Sequence, residues 1–323
     1  MKAIVQDTYG SADVLELREV ERPTPGDGEV LVRVAAAGVD RGAWHLMTGV
    51  PYLMRVIGFG LRAPKAAVPG SHLAGRVEAV GPGVTRFRPA DEVYGTGKGA
   101  FAEYACARED RLAPKPADLT FEQAAVVPHG GFAALQALRD HGRVAADQNV
   151  LIVGASGAVG STAVQLAKAF GAEVTGVCSP AKVDMVRALG ADHVLDYTDG
   201  DVDFAEPAGR YHLILDIGGD TALARLRRAL TPKGTLVIVG GEGGRVTGIG
   251  RQARAHLLSP FVGQKLGTFV ARENADDLLV LNGLVEDGKL TPVIDRTFPL
   301  GEAPDAVRHL EAGRARGHIA LVV

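Results

Sequence analysis

Asn149-Val150-Leu151-Ile152-Val153-Gly154-Ala155-Ser156-Gly157-Ala158-Val159-Gly160 is the most informative stretch of this chain. Asn149–Val153 reads as a short strand, continuously apolar from Val150, which suits a strand buried on both faces. A glycine-rich turn of the A-x-G-x-x-G kind follows, with Ala155 where the dinucleotide fingerprint has its first glycine. An apolar-periodic helix is predicted over Gly157–Phe170. Glycine at 157 lets backbone N–H groups approach a pyrophosphate, and glycine at 160 lets the helix pack on the strand. The helix N-terminus adds orphan donors and partial positive charge for an anion.

Downstream, strands and helices alternate. Ala172–Val177, His193–Leu195, Tyr211–Ile217 and Thr235–Gly240 read as strands, and Ala181–Leu189 and Thr221–Leu230 as helices. That spacing predicts parallel pairing with right-handed crossovers, a doubly wound α/β sheet. Upstream, Lys2–Gln6, Leu15–Glu19, Glu29–Ala37, Ala74–Val80 and Glu92–Tyr94 have strand lengths and are broken by Gly and Pro, as in a coiled or barrel-like β unit. Residues 41–68 fit neither period and predict a long functional loop. Two helices are predicted around Pro128, over Phe121–Val127 and Gly131–His141. Asn274–Asp287 is the last interior helix, and Thr291–Arg296 returns to the strand style of the first residues. The expected organisation is a β domain over 1–121, completed by 290–323, and a nucleotide-binding domain over 122–289.

The 323 residues are 46% hydrophobic and 23% charged, too apolar for a disordered chain and too charged for a membrane bundle. Thirty-five basic against 38 acidic residues give a net charge of −3, which leaves no footprint for nucleic acid. No apolar run approaches the ~20 residues of a spanning helix. The first residues turn polar too soon for a signal peptide, so a cytoplasmic location is expected. Two cysteines, Cys106 and Cys178, exclude a disulfide framework and a thiolate-rich zinc cluster.

The end of the second predicted strand addresses the choice of dinucleotide. Glu173-Val-Thr-Gly-Val-Cys-Ser179 closes without the Asp or Glu that would meet a free ribose 2′-hydroxyl, and Lys182 follows. A hydroxyl and an ammonium suit a 2′-phosphate, so NADP(H) is expected over NAD(H). Ser179 as a helix cap and Lys182 as a solvated side chain is the alternative, and both can hold together.

Beyond these residues the chain resembles the medium-chain dehydrogenase/reductase superfamily, in its zinc-free quinone oxidoreductase branch. The resemblance rests on Pro69-Gly70-Ser-His-Leu-Ala74-Gly75-Arg-Val77, Val80-Gly81-Pro-Gly-Val84-Thr85-Arg-Phe87, Asp91-Glu-Val-Tyr-Gly95 and Pro128-His-Gly-Gly. Gly190-Ala191-Asp192-His-Val-Leu-Asp196-Tyr197, Tyr211–Gly219, Val239-Gly240-Gly241 and Ala315-Arg316-Gly317-His318 extend it nearly end to end. It implies a GroES-like coiled β domain, a Rossmann nucleotide-binding domain with a cleft between the two, and hydride transfer from NADPH to a quinone, enone or carbonyl. It also implies cofactor contacts at Ser156, Gly157, Ala158, Val159, Ser179, Lys182 and Tyr197, with Gly240, Gly241, Phe269 and Val270 near the nicotinamide half. A homodimer through an edge strand near Gly267–Ala271 would fit. The chain departs from the family pattern at Val39-Asp40, His72, His129-Gly130, Ala133 and His318.

Zinc-dependent relatives carry Cys and His-Glu where this chain has Val39 and Ser71-His72, so no metal is expected; His72 with Asp40 and His45 is the conceivable substitute. A developing oxyanion then needs another donor, and Tyr52, Asp40 and His129 are the candidates, with His72 beside them. Tyr52 reads equally as an aromatic packed over the cleft, His129 as a helix cap, and Asp40 as a loop-holding acceptor. Trp44 and Phe59 are candidates for an apolar wall. The expected function is a zinc-independent, NADPH-dependent reductase of a small apolar quinone or α,β-unsaturated carbonyl. An alcohol or aldehyde dehydrogenase, or a non-catalytic NADPH-binding sensor, are the alternatives.

Overall fold

The computed structural model describes residues 1–199, 203–219, 221–240 and 249–323. They form two units, residues 1–129 with 273–323, and residues 130–272. The first unit contributes β1 (Lys2–Val5), β2 (Glu16–Glu19), β3 (Glu29–Val39), α1 (Arg41–Thr48), β4 (His72–Val80), β5 (Glu92–Thr96), β6 (Tyr104–Arg108), β7 (Leu112–Pro114) and the start of α2 (Phe121–Gln136). The second continues with β8 (Asn149–Val153), α3 (Ala158–Ala169), β9 (Glu173–Cys178), α4 (Val183–Ala188), β10 (His193–Asp196) and β11 (Tyr211–Asp216). It closes with α5 (Leu223–Ala229), β12 (Leu230–Ile238), α6 (Gly250–Leu258) and β13 (Lys265–Thr268). The chain then re-enters the first unit for α7 (Ala275–Glu286), β14 (Ile294–Pro299), α8 (Ala303–Glu311) and β15 (His318–Val322).

β3 organises the first unit. It pairs with β4 along most of its length, with β6 through Glu29–Arg33, and with β15 through Ala36–Val39. Register shifts between Leu31 and Val32 and between Val34 and Ala36 bend it, the usual effect of bulges. The sheet order is β14-β15-β3-β4-β5-β7, around a core that includes Val32, Leu73, Val93, Phe101 and Leu321. This is the coiled, GroES-like architecture expected for the N-terminal residues.

Three sequence expectations are corrected here. The boundaries lie after His129 and before Glu273, not at 121 and 290. α7 belongs to the first unit because the buried Tyr94 hydroxyl donates to Asn282 Oδ1 at 2.6 Å and Leu278 O at 3.1 Å, while Asn282 Nδ2 donates to Pro114 O at 2.9 Å. Pro128 does not divide two helices: α2 runs through it, held by the buried Ala124–Val127, Phe132 and Leu135. Residues 41–48 are helical and not loop, because Asp40 caps α1 by accepting the Ala43 N–H at 2.9 Å and Gly49 ends it at φ 62°.

In the second unit the strand order is β10-β9-β8-β11-β12-β13, every pair parallel. Chain order runs outward from β8 through β9 to β10 on one side and from β11 through β12 to β13 on the other. The order therefore reverses between β8 and β11, and in such sheets ligands bind at the carboxyl ends of the strands at that point. Leu151, Ile214, Leu236 and Leu266 share one buried core. This is the doubly wound α/β architecture that the alternation predicts.

Candidate functional site

The glycine turn leaves β8 at the reversal of strand order. Gly154 has φ 89°, a conformation that favours glycine, and Gly154 and Ala155 both donate to Val177 O at 3.0 Å. The turn is thereby fastened to β9 before α3 begins. Gly157 is the N-cap of α3 and supplies no side-chain cap, so the first helical amides at Ala158 and Val159 receive no capping bond from it. A side chain at Gly157 would meet only Gly154 O, 3.9 Å from the added β-carbon, so the space above the turn is open. Ser156, Gly157, Ala158 and Val159 thus form a cradle that suits an anion at a helix N-terminus.

β9 and β10 end side by side, with Cys178 opposite Asp196, and Tyr197 N–H donates to Cys178 O at 3.2 Å. Ser179 and Tyr197, singled out separately in the sequence, are therefore neighbours at the carboxyl edge of the sheet. Ser179 sits at the N-cap of the turn Pro180–Lys182, yet its side chain makes no capping bond. Lys182 lies in the same turn, and the Tyr197 side chain is exposed. Asp196 is engaged by its own turn, accepting from the amide and hydroxyl of Thr198 at 2.8 and 2.9 Å. Burial pushes the Cys178 thiol up to about 11, and Asp196 adds to this, so Cys178 is a neutral side chain.

Gly240 follows β12 at this same edge, where Val239 N–H donates to Asp216 O at 3.0 Å. Gly241 lies outside the described residues. Phe269, just past β13, stacks on His141 with ring centroids 4.3 Å apart, and Val270 is 90% exposed. Asp216, fully buried at the end of β11, is paired by Arg251 Nη1 at 2.6 Å.

The first unit holds a cluster of ionisable groups. Asp40 Oδ2 accepts from His72 Nδ1 at 2.7 Å, and His129 Nδ1 lies 3.8 Å from that oxygen. Burial would push the Asp40 carboxyl up, but the charge of His129, the hydrogen bond and charge of His72 and the Ala43 amide together hold it well below the carboxylate range. His72 is opposed by burial but raised by Asp40 and by Glu273, whose Oε1 is 4.0 Å from His72 Nε2. His129 is lowered, mainly by burial, with Asp40 pulling up and His72 pushing down. His318 is pushed down to about 3, chiefly by burial. Asp40 and His129 are thus brought together. Glu273, which joins them through His72, carries no signal in the sequence because its partner comes only with folding.

Tyr52 is 45% exposed on the segment after α1, with the Arg55 guanidinium 4.8 Å from its ring centroid. His45 is occupied locally, its Nδ1 2.6 Å from Val50 O. Trp44 packs against the core of the first unit and donates to Glu311 Oε1 at 2.6 Å, so it is mainly structural, whereas Phe59 is exposed.

Comparison with known proteins agrees with this architecture. Residues 26–117 match the alcohol dehydrogenase GroES-like domain, and residues 189–321 match a family described as zinc-binding dehydrogenase. The chloroplastic quinone-oxidoreductase QR1 of Triphysaria versicolor is 31% identical over 99% of this chain and 98% of its own. The chain belongs to the medium-chain dehydrogenase/reductase superfamily. It is an oxidoreductase of that family, similar also to the 2-methylene-furan-3-one reductase of Solanum lycopersicum, 32% identical over 99% of this chain and 79% of the relative. A mycobacterial protein solved in complex with NADPH superimposes with a TM-score of 0.84 at 26% identity, covering 100% of both chains. These likenesses support a nicotinamide cofactor. Among the described residues no helix is long and apolar enough to cross a membrane.

The family description raises the question of a metal. Asp40, His72 and His129 offer donor atoms within 4.8 Å of one another. Ligands ~2.0–2.1 Å from a tetrahedral ion stand ~3.3 Å apart. The 2.7 Å His72–Asp40 separation is instead a hydrogen bond, and the other Asp40 oxygen is taken by the α1 cap. The trio as arranged does not fit a tetrahedral zinc ion.

Proposed function

We propose that this protein is a zinc-independent, NADPH-dependent reductase that delivers hydride to a quinone or an α,β-unsaturated carbonyl. The adjacency of Ser179 and Tyr197 across the ends of β9 and β10, with no carboxylate closing β9, carries the choice of cofactor. Ser156, Gly157, Ala158 and Val159 would hold the pyrophosphate, and Ser179, Lys182 and Tyr197 the 2′-phosphate. Gly240, Gly241, Phe269 and Val270 would border the nicotinamide half. The bound dinucleotide supplies the hydride; the protein positions it and excludes water.

On the acceptor side, Tyr52, Asp40 and His129 are the residues proposed to stabilise or protonate the oxygen that gains charge. The phenol of Tyr52 is a donor, and the Asp40 carboxylate, 3.8 Å from His129 Nδ1, would favour an imidazolium there that can give up its proton. A small apolar acceptor suits the exposed Phe59 and its neighbours Val56 and Ile57. The open edge of β13 supports a homodimer, formed by pairing one β13 with its copy. A cytoplasmic protein acting on small molecules, not on nucleic acid or membranes, is consistent with the balanced charge.

The decisive experiment follows NADPH oxidation by the purified protein against quinones, enones and aldehydes, with zinc content measured on the same sample. Turnover of quinones or enones that persists in chelator supports the proposal. Turnover confined to aldehydes and lost with zinc overturns it in favour of an alcohol dehydrogenase. Tight NADPH binding without turnover on any of them indicates a sensor.

A further inference from the structure

Two imidazoles share a single carboxylate oxygen. Asp40 Oδ2 is 2.7 Å from His72 Nδ1 and 3.8 Å from His129 Nδ1, and the two rings lie 5.6 Å apart at 50°. Asp40 Oδ1 is held by Ala43 N–H, so the carboxylate cannot turn a second oxygen to either ring without uncapping α1. One negative charge in a poorly hydrated site neutralises one imidazolium well and a second one badly, so the titrations of the two rings are coupled.

The surroundings favour His72 in this competition. It makes the shorter contact, and its other nitrogen faces Glu273, whose second oxygen is paired with Arg111 Nη1 at 3.1 Å. His129 faces Asp40 from the N-cap of α1, His72 from β4 and His318 from β15. His318, buried and neutral, brings no compensating charge. The Glu273 carboxylate serves His72 and not His129.

We propose that His72 is a positioning residue that sets the protonation of His129 by competing with it for Asp40 Oδ2. The inference rests on the reading of His129 as the proton donor. In that reaction the bound dinucleotide would supply a hydride, an electron pair with its proton, to a conjugated carbon of the acceptor; the C=C π pair would shift to form the enolate double bond and the carbonyl π pair would move onto oxygen. A proton leaves the His129 imidazolium to form the O–H bond, returning His129 to neutral imidazole. Burial already lowers His129, and by holding the carboxylate His72 weakens the pull of Asp40 that would offset it, so the imidazolium form of His129 is kept to the acidic side of the ordinary histidine range. His72 thereby sets the upper pH limit of reduction.

Histidine-ring NMR titration of the full chain tests the coupling directly, with a His129→Ala sample to assign the signal. In His72→Gln the His129 midpoint should rise by about one pH unit, because Asp40 is released and a positive neighbour removed. In Asp40→Asn, where asparagine still caps α1, it should fall. Melting curves check that both variants fold, and Asp40→Asn alone decides the matter if His72→Gln does not. A His129 midpoint unmoved in the folded variants overturns the proposal. The pH profile of kcat/KM, measured alongside, separates this from the function itself. If it moves with the NMR midpoint, both stand. If the NMR midpoint moves alone, the coupling stands and His129 is not the proton donor.

Discussion

Gly160 lies against the carbonyl of Gly154 so closely that a β-carbon on residue 160 would fall 2.1 Å from that oxygen. The same added atom would come within 2.8 Å of the Ala155 backbone, so no flexible side chain can move aside to admit it. Gly160→Ala should therefore force α3 away from the turn. Overpacking of this kind costs about 1–3 kcal/mol. A lowered melting temperature together with weakened NADPH binding by fluorescence titration is the expected result, and an unchanged variant would show that the turn yields.

Cofactor choice should be reversible at the end of β9. Ser179→Asp combined with Lys182→Ala places a carboxylate where two ribose hydroxyls can donate to it and where a 2′-phosphate is repelled. The wild-type protein should bind NADPH more tightly than NADH, by a margin that shrinks as salt rises, and the double variant should lose or invert that margin. Equal affinities of the wild-type protein for the two cofactors would refute the assignment.

Tyr52→Phe distinguishes an oxyanion donor from an aromatic that merely packs. Losing a hydrogen bond made chiefly in the transition state should cost ~100–1,000-fold in kcat with little change in KM. Steady-state kinetics showing a raised KM at full kcat would assign Tyr52 to substrate packing beside Arg55 instead.

His318 should make the protein sensitive to mild acid. Burial is the main force that brings its folded value down to about 3, while the unfolded side chain titrates near ~6.5. Between those values the unfolded chain binds a proton that the folded chain refuses, so this group's contribution falls as pH drops, by about 2 kcal/mol at pH 5. His318→Gln should flatten the fall of melting temperature between pH 7 and pH 5. The same slope in the variant and the wild-type protein would rule His318 out as the cause.

What could be read in advance follows the range of the interactions involved. Val150–Val153 announced a doubly buried strand, and Gly154–Gly160 its turn, because both depend on near neighbours. Pro128 gave the wrong signal because burial of the surrounding α2 residues outweighs the amide that proline lacks. α1 was obscured by Gly42 in its first turn, although Asp40 and Gly49 are ordinary start and stop signals. The affiliation of α7 with the first unit hangs on the Tyr94 hydroxyl, and the link from Asp40 to Glu273 on His72. Both join residues far apart in sequence, and no local pattern encodes them.

The pairing of Val39 with Ile319 has a consequence for synthesis. A growing chain that has made β3 must emit all of residues 130–272, and then α7, before the β15 side of Ala36–Val39 can be paired. The nucleotide-binding unit is contiguous and needs no such wait, so domain-wise folding on the ribosome favours its completion first. Until β15 arrives, the late half of β3 is covered by β4 on one side and open on the other, and that open side can recruit strands from other nascent chains. A chaperone that shields this edge during translation would therefore raise the yield of folded protein more than one that acts after release.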